Sequence, residues 1–145
     1  MRTPEEQLRG AGLRVTAPRV AVLRVLREAH DHPRVEDVIT RVRAGGVPVS
    51  VQGAYDVCEA LRHAGLVRRI DLGAAPARYE ARVGDNHHHL VCRGCGATRD
   101  VDCAIGSAPC MEPLHDDHGF RVDQAEVTYW GLCPACQTRD EGTRA

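Results

Sequence analysis

Aromatic side chains, lysine and long apolar runs are scarce or absent in this sequence. Aromatic residues make up 3% of the 145 residues, so a core must be built from the aliphatic side chains that dominate the 43% hydrophobic fraction. Such a core, shared between two small units, is marginal without a structural metal or a partner subunit. No run of about 18 apolar residues occurs, so we expect no membrane span.

Every basic residue is an arginine. Arginine suits bidentate contacts with phosphate and guanine, although a GC-rich coding sequence explains a chain-wide absence of lysine better. The formal net charge is −1, but residues 1–82 hold 14 Arg against 10 acidic residues, and residues 83–145 hold 5 Arg against 10. This asymmetry suggests that only the first half faces a polyanion such as DNA.

The N-terminal segment, from Met1 to Glu6, lacks the apolar core of a signal peptide. We therefore expect a cytoplasmic protein. Thiols stay reduced in the cytoplasm, so pairs of the Cys-x-x-Cys type indicate metal or redox chemistry there rather than structural disulfides.

The spacing of apolar residues predicts four helices before residue 66. The first, over residues 5–12, is short and polar. Thr16 is suited to cap the second, and Ser50 to cap the fourth. Gly45 begins a Gly-Gly pair that ends the third helix, and Gly65 lies where a left-handed residue ends the fourth.

Two short strands are predicted next, over residues 67–72 and 77–81, with a turn at Gly73-Ala-Ala-Pro76 between them. Helices followed by a β-hairpin are typical of a winged helix-turn-helix. We therefore assign residues 1–82 to a winged-helix DNA-binding domain.

Gly84-Asp85-Asn86 indicates a hinge over residues 83–86. Beyond it, apolar stretches at residues 89–92, 97–101 and 120–130 predict strands, and we assign residues 87–145 to a second, smaller domain. The predicted fold class is α+β, with a winged helix-turn-helix followed by a small α/β domain.

The strongest motif is Cys92-Arg-Gly-Cys95 together with Cys133-Pro-Ala-Cys136. Two residues between thiols let both sulfurs reach one ion, and two such pairs complete the tetrahedral sulfur shell that Zn(II) favours. Two unrelated thiol pairs, or a redox pair, are the alternatives. Because all four positions are thiolates, no place remains for a water, and the zinc is predicted to be structural.

A second cluster begins just before Cys92, at His87-His88-His89. In a strand, His87 and His89 project to one face and His88 to the other. Two imidazoles at this spacing form half of a site for a divalent metal. A polar histidine run at a strand start is the simpler alternative, but nearby carboxylates favour a site.

Several motifs follow one another along the chain, and they are Leu13-Arg-Val-Thr16-Ala-Pro18-Arg19, His32-Pro33, Ser50-Val-Gln-Gly-Ala-Tyr55, Gly65-Leu66-Val67, Ala77-Arg78-Tyr79-Glu80, His87-His-His89-Leu-Val-Cys92 and both Cys pairs. Together they resemble the ferric uptake regulator family, which includes iron, zinc and peroxide sensors. The resemblance covers about residues 5–136. It implies a metal-dependent transcriptional repressor that binds palindromic operator DNA as a homodimer. It also implies that residues 87–145 form the dimerisation and metal-binding domain.

The resemblance also implies a regulatory metal site, formed by His32, Glu80, His87, His89 and Asp100. Nitrogen and oxygen ligands suit Fe(II) or Mn(II) better than four thiolates do. Asp100 resembles the peroxide-responsive members, in which Fe(II) reacts with hydrogen peroxide and a ligand histidine is oxidised. We expect peroxide sensing, with iron-responsive repression as the alternative.

A further metal site of the family would use the positions of Asn86 and Ala125. Neither residue is suited to this role, and His88 alone cannot form the site, so we predict that it is absent or degraded. For DNA, the resemblance places Arg14 and Arg19 at the phosphate backbone.

Three residues on the outward face of the fourth helix, Gln52, Tyr55 and Arg62, are candidates for base or phosphate contacts. A plain amphipathic surface helix is the alternative. A zinc enzyme and a zinc-ribbon interaction module are the rival classes for the whole chain, but neither a His-Glu-x-x-His motif nor a deaminase motif occurs. We expect neither catalysis nor a small organic substrate.

The remaining thiols carry weaker signals. Cys58 lies on the apolar stripe of the fourth helix and is predicted to be buried. Cys103 and Cys110 flank a connector and are either ordinary loop thiols, a redox pair or ligands of a metal. The segment from His115 to His118 is predicted to form a solvated turn.

Overall fold

The computed structural model describes residues 1–113 and 118–143. It divides the chain into a first unit, Met1–Val83, and a second unit, Gly84–Ala145. Helices and strands occur in both units, which confirms the mixed α and β composition. Most of the turn predicted from His115 to His118 lies outside the described residues. None of the described helices is long and apolar enough to cross a membrane.

The first unit contains four helices and two strands. In chain order they are α1 (Pro4–Gly10), α2 (Ala17–Glu28), α3 (Val35–Ala44), α4 (Val51–His63), β1 (Arg68–Leu72) and β2 (Ala75–Glu80). All four predicted helices are therefore confirmed, with bounds that differ by one or two residues.

The helix ends follow from local side chains. Thr16 Oγ1 accepts the backbone N–H of Arg19 at 3.4 Å, and Ser50 Oγ accepts that of Gly53 at 2.9 Å. Each hydrogen bond satisfies an N–H that lacks a partner within its helix. After α4, Gly65 adopts a φ of +70°, a left-handed conformation that costs glycine little. These caps confirm the sequence-based helix starts and the end of α4.

The apolar faces of the helices form one core. Its members with the least exposure, at most 2% of the side chain, are Leu8, Val22, Leu23, Leu26, Val38, Val42, Ala54, Cys58 and Leu61. Full burial of a side chain such as leucine contributes roughly 1.5–3 kcal/mol. The prediction that Cys58 is buried is confirmed.

Strands β1 and β2 pair in antiparallel fashion, with a register shift between Ile70 and Leu72. The turn between them is shorter than predicted, because β2 begins at Ala75 and includes Pro76. A two-stranded sheet leaves one edge of each strand unpaired, so the missing N–H of a proline need not remove a hydrogen bond of the ladder.

The second unit contains a three-stranded sheet and one helix. Its elements are β3 (His88–Cys92), β4 (Thr98–Val101), β5 (Thr128–Gly131) and α5 (Pro134–Thr143). Strand β3 lies in the middle, antiparallel to β4 and parallel to β5.

One expectation for the second unit was wrong, and one helix was not anticipated. The stretch at residues 120–130 is a strand only at Thr128–Gly131, and Phe120 is 74% exposed. Because β5 pairs with β3, and His89 is already opposite Thr128, β3 offers almost no partner for residues further upstream. Helix α5 was not predicted, because it lacks an apolar stripe.

Candidate metal centres

Four cysteines meet in the second unit. Their sulfur atoms, from Cys92, Cys95, Cys133 and Cys136, all lie within 4.8 Å of one another. The first ends β3, the second follows it in a turn, the third follows β5 and the fourth lies in the first turn of α5. The cluster therefore joins the middle strand, an edge strand and the helix.

Backbone hydrogen bonds orient this cluster. Cys92 Sγ accepts the N–H of Cys133 at 3.3 Å and that of Cys95 at 3.5 Å. The hydrogen bond from Cys133, followed by the one from Cys95, is the main reason that the pKa of the Cys92 thiol falls to about 6. Hydrogen bonds with the Cys133 and Cys92 sulfurs raise the pKa of Cys136 to about 12. The thiols thus share protons that a divalent cation can replace.

The two Cys-x-x-Cys segments lie so close together that residue 94 has no room for a side chain. A Cβ added at this residue would lie 2.9 Å from Cys136 Sγ and 3.2 Å from its Cβ. Four sulfurs at this proximity fit a tetrahedral Zn(II), whose bonds to sulfur are about 2.3 Å long. The donor set therefore fits the predicted structural zinc.

A buried pair of nitrogen and oxygen donors lies in the first unit. His32 Nε2 and Glu80 Oε2 are 3.3 Å apart, and each side chain is 6% exposed. The end of β2 is tied to the turn that carries His32, because Tyr79 donates its N–H to Pro33 O at 3.0 Å and Arg78 Nη1 donates to His32 O at 3.0 Å.

The backbone of His32 is unusual, with a φ of +51°. Residues other than glycine adopt this left-handed conformation infrequently, and it costs about 1–3 kcal/mol where the surroundings impose it. The hydrogen bonds between this turn and β2 therefore hold His32 in a strained conformation.

A second group of nitrogen and oxygen donors lies in the second unit. Asp100 Oδ1 is 3.7 Å from His87 Nε2 and 3.5 Å from His89 Nε2. The register of β3 and β4 places His89 opposite Asp100. The alternation predicted for the three histidines is confirmed, since His88 Nε2 instead lies 3.1 Å from Cys110 Sγ.

Asp85 was not among the predicted site residues. Its Oδ1 lies 2.5 Å from His87 Nδ1. A carboxylate at Nδ1 fixes the orientation of the ring and leaves Nε2, which faces Asp100, as the ligand atom. Metal-binding histidines commonly have such a carboxylate partner.

The five residues predicted to bind the regulatory metal thus fall into two groups. His32 and Glu80 form one in the first unit, and His87, His89 and Asp100 form the other in the second unit. The donors of both groups are imidazoles and carboxylates, which fit Fe(II) or Mn(II).

The candidate DNA contacts on α4 are exposed, and each has an acidic partner. Gln52 Nε2 donates to Asp56 Oδ1 at 2.9 Å, and Tyr55 OH donates to Glu36 Oε1 at 2.6 Å. Arg62 lies 3.1 Å from Glu59.

At the start of α2, Arg19 Nη1 donates to Arg14 O at 2.9 Å. Arg14 is exposed and Arg19 is half-buried. The backbone carbonyl, rather than a carboxylate, is the partner of this guanidinium, so Arg19 keeps its positive charge available to an anion.

A model of the ferric uptake regulator family matches residues 10–130. The chain belongs to the ferric uptake regulator family. Within the family, it is 56% identical to a protein of Mycobacterium tuberculosis named transcriptional regulator FurA, over 135 residues that cover 93% of this chain and 90% of the relative. It is also 56% identical to ferric uptake regulation protein 1 of Mycolicibacterium fortuitum, over 85% of this chain and 75% of the relative.

Solved structures of the family have a similar fold. The ferric uptake regulator of Pseudomonas aeruginosa, solved with manganese, matches with a TM-score of 0.72 and 28% identity. The match covers 92% of this chain and 99% of that structure. The resemblance predicted from the motifs is therefore confirmed at the level of family and fold.

Proposed function

We propose that this member of the ferric uptake regulator family is a metal-dependent transcriptional repressor that binds palindromic operator DNA as a homodimer. The observation that carries the proposal is the presence of two chemically different donor sets in one chain. One is a cluster of four sulfurs, and the others are groups of imidazoles and carboxylates. The names of the two 56% identical relatives support a regulatory role.

The sulfur cluster would hold a structural Zn(II). Bound zinc closes the second unit by joining β3, β5 and α5, and it leaves no coordination position for a substrate. The cluster therefore supports an architectural role and gives no support to a zinc enzyme.

The imidazole and carboxylate residues His32, Glu80, His87, His89 and Asp100 would bind one Fe(II) or Mn(II) as the regulatory ion. Since these ligands come from both units, such an ion would restrict the freedom of one unit relative to the other. In a dimer, only one separation of the recognition helices fits successive half-sites in the major groove. Metal and DNA would then strengthen each other's binding by the same factor.

Helix α4 is the proposed recognition helix of a winged helix-turn-helix, in which β1 and β2 form the wing. Gln52, Tyr55 and Arg62 would exchange their acidic partners for base edges and phosphates, and Arg14 and Arg19 would contact the backbone of the duplex.

The sheet of the second unit supports the homodimer. Leu90 on β3 and its neighbour Tyr129 on β5 are 47% and 48% exposed. Large apolar side chains exposed side by side on a sheet favour association with another apolar surface. A second copy of this chain is the partner that the proposed palindromic operator requires.

The proposed signal is hydrogen peroxide, sensed through Fe(II), with iron-responsive repression as the alternative. When bound, Fe(II) would donate an electron to peroxide, and the product would oxidise nearby side chains. The chain contributes the imidazoles of His32 and His87, each held by a carboxylate, and either ring is a target for the addition of one oxygen atom.

Fluorescence anisotropy tests the repressor proposal, with duplexes selected from a random pool by the Mn(II)-loaded protein. We expect Mn(II) to tighten binding of the native chain and to have no effect on His32→Ala or His87→Ala, while the sulfur-bound zinc is retained. His30→Ala is the matched control, because His30 is an exposed histidine two residues from His32. DNA binding that is indifferent to Mn(II) in the native chain contradicts the proposal.

Mass spectrometry separates the two signals. Protein loaded with Fe(II) is treated briefly with hydrogen peroxide, and protein loaded with Mn(II) is the control. Peroxide sensing predicts that peptides with His32 or His87 gain the mass of one oxygen atom and that DNA is released. Unmodified histidines with retained DNA binding would favour the iron-responsive alternative.

A further inference from the structure

We propose that His88, Cys103 and Cys110 form an additional metal site, which binds a thiophilic cation of the Zn(II) class through one imidazole and two thiolates. One ligand atom from each of the three residues lies within 4.8 Å of the other two. His88 Nε2 and Cys110 Sγ are 3.1 Å apart. The proposal does not depend on the DNA-binding role.

The sheet register explains why His88 and Cys103 meet. His88, the first residue of β3, is opposite Val101, the last residue of β4. Cys103 follows Val101 by two residues. The chain therefore leaves β4 at the end of the sheet where β3 begins with His88. The two donors are thus brought together by strand pairing rather than by closeness in sequence.

The segment between Cys103 and Cys110, called the connector, brings Cys110 back to His88. Asn86 Nδ2 donates to Ser107 O at 2.8 Å, which fastens the connector beside the start of β3. Gly106 permits the turn with a φ of +74°. Asn86 is therefore a tether in this structure.

The alternation of side chains along β3 keeps this cluster apart from the neighbouring histidines. His88 points toward Cys110, whereas His87 and His89 point toward Asp100. The two sets use different atoms on opposite faces of one strand. An ion at one set therefore does not compete for the ligands of the other.

The chemistry of the donors selects the type of ion. Zn(II) accepts Cys sulfur at about 2.3 Å and His nitrogen at about 2.0–2.1 Å. Thiolates favour Zn(II) or Cu(I), whereas carboxylates and waters favour Mg(II), Ca(II) and Mn(II). Three protein donors leave a tetrahedral ion one open position, so this site would exchange its ion more readily than the closed four-sulfur cluster.

The two thiols differ in how readily they ionise. Burial raises the pKa of Cys110, and the neighbouring Cys103 raises it further. Burial acts in the same direction on Cys103, but hydrogen bonds from the backbone of Gly106 and Ile105 outweigh it and lower the pKa of that thiol. The opposite shifts mark the two thiols as interacting neighbours, in agreement with the geometry of the cluster.

Cobalt substitution provides the test, because Co(II) bound to thiolates gives strong sulfur-to-metal charge-transfer absorption that nitrogen and oxygen sites lack. Reduced, metal-free protein is titrated with Co(II) under anaerobic conditions. The native chain is expected to bind two thiolate-ligated ions per subunit. In Cys103→Ser/Cys110→Ser, the charge-transfer intensity at saturation is expected to fall by about a third, since two of six cysteine ligands are lost.

Cys58→Ala is the matched control, because it removes a thiol that lies outside both sulfur clusters. It is expected to keep the full charge-transfer intensity. His88→Ala is expected to weaken the second binding step of the titration and to leave the first unchanged. An identical saturated spectrum for the native chain and the double variant overturns the proposal.

Thiol protection gives an independent readout. We expect Zn(II) to slow the alkylation of Cys103 and Cys110 in the reduced native chain, and His88→Ala to remove much of this protection. Equal alkylation rates with and without Zn(II) overturn the proposal. Oxidation of the two thiols to a disulfide by dissolved oxygen, at the same rate with and without Zn(II), also overturns it and assigns them to a redox pair.

Discussion

In the first unit, Met1–Val83, fifteen hydrophobic residues are buried, whereas in the described part of the second unit only Val91, Cys92 and Cys136 are. Two of those three are members of the four-sulfur cluster. A unit with so few buried apolar side chains does not offset its loss of chain entropy by hydrophobic burial alone. The first unit is stabilised by a hydrophobic core, whereas the proposed zinc would supply the missing stability of the second.

The largest effect that this contrast predicts comes from removal of the proposed zinc. Chelation, or Cys133→Ser, should abolish amide protection in β3, β5 and α5 and leave α2 and α4 protected. Structural zinc in small domains contributes about 10–16 kcal/mol of apparent binding free energy, which here would be lost from folding. Hydrogen exchange read by peptide mass spectrometry is the measurement.

Cys58→Ala serves as the control for zinc removal, because it deletes a thiol of the hydrophobic core. It should leave protection of the second unit unchanged. If the chelated native chain keeps full protection in β3 and β5, the second unit has another source of stability and the contrast between the units fails.

The next largest effect is a cavity in the first unit. Leu61 is fully buried in the core, and Leu61→Ala should reduce the free energy of unfolding by about 2–5 kcal/mol, through lost burial and the cavity left behind. Urea unfolding followed by circular dichroism of the helices measures the change, while zinc content should remain that of the native chain.

Met111→Ala is the matched truncation in the second unit. Met111 is 63% exposed, so this change should alter stability by no more than about 0.5 kcal/mol. A loss as large as that of Leu61→Ala would show that the second unit also depends on apolar contacts.

Alkaline pH should weaken the first unit. Burial raises the pKa of Cys58 from 9.0 to about 12, and burial with the nearby Glu59 carboxylate raises that of Tyr79 from 10.0 to about 12. Both acids are held neutral in the folded state, so their contribution is complete below pH 9 and is lost as the pH rises toward 12. From Cys58 alone, each pH unit in this window costs about 1.4 kcal/mol.

Urea unfolding at pH 8.5 and pH 10 tests this expectation. Cys58→Ala should show a smaller loss of stability between the two pH values than the native chain, because it has no thiol to ionise on unfolding. Equal losses in both proteins would contradict the assignment of the effect to Cys58.

The smallest effect concerns a helix start. Ser50→Ala removes the hydrogen bond to the N–H of Gly53 and should cost about 1 kcal/mol, with little change in zinc content. Ser107→Ala replaces an exposed serine of the second unit and should change stability by less than about 0.5 kcal/mol. Thermal unfolding of both variants measures the difference, and equal melting temperatures would contradict a capping role for Ser50.

The helices of the first unit were predictable because their signals are local. Thr16, Ser50 and Gly65 act on residues only a few positions away. Pro76 misled the prediction of the hairpin turn, since proline is tolerated in a strand whose outer edge is unpaired. Helix α5 gave no apolar stripe, because its start is positioned by Cys133 and Cys136 rather than by a core.

The donor groups were predictable to different degrees. The spacing of the two Cys-x-x-Cys pairs alone predicts their cluster. His87 and His89 follow from strand alternation, and the register of β3 and β4 then brings in Asp100. Cys103 and Cys110 carry no spacing motif, and their approach to His88 depends on a connector whose path only tertiary contacts determine.

Strand β3 contributes donors to three clusters within five residues: His88 on one face, His89 on the other, and Cys92 at its end. A slip of one residue in strand pairing turns every side chain to the opposite face. Insertion or deletion of one residue beside this strand would therefore interchange sulfur-facing and carboxylate-facing imidazoles. Such a chain would load the wrong ions instead of merely binding the right ones less tightly, so natural variation here should occur by substitution and not by change of length.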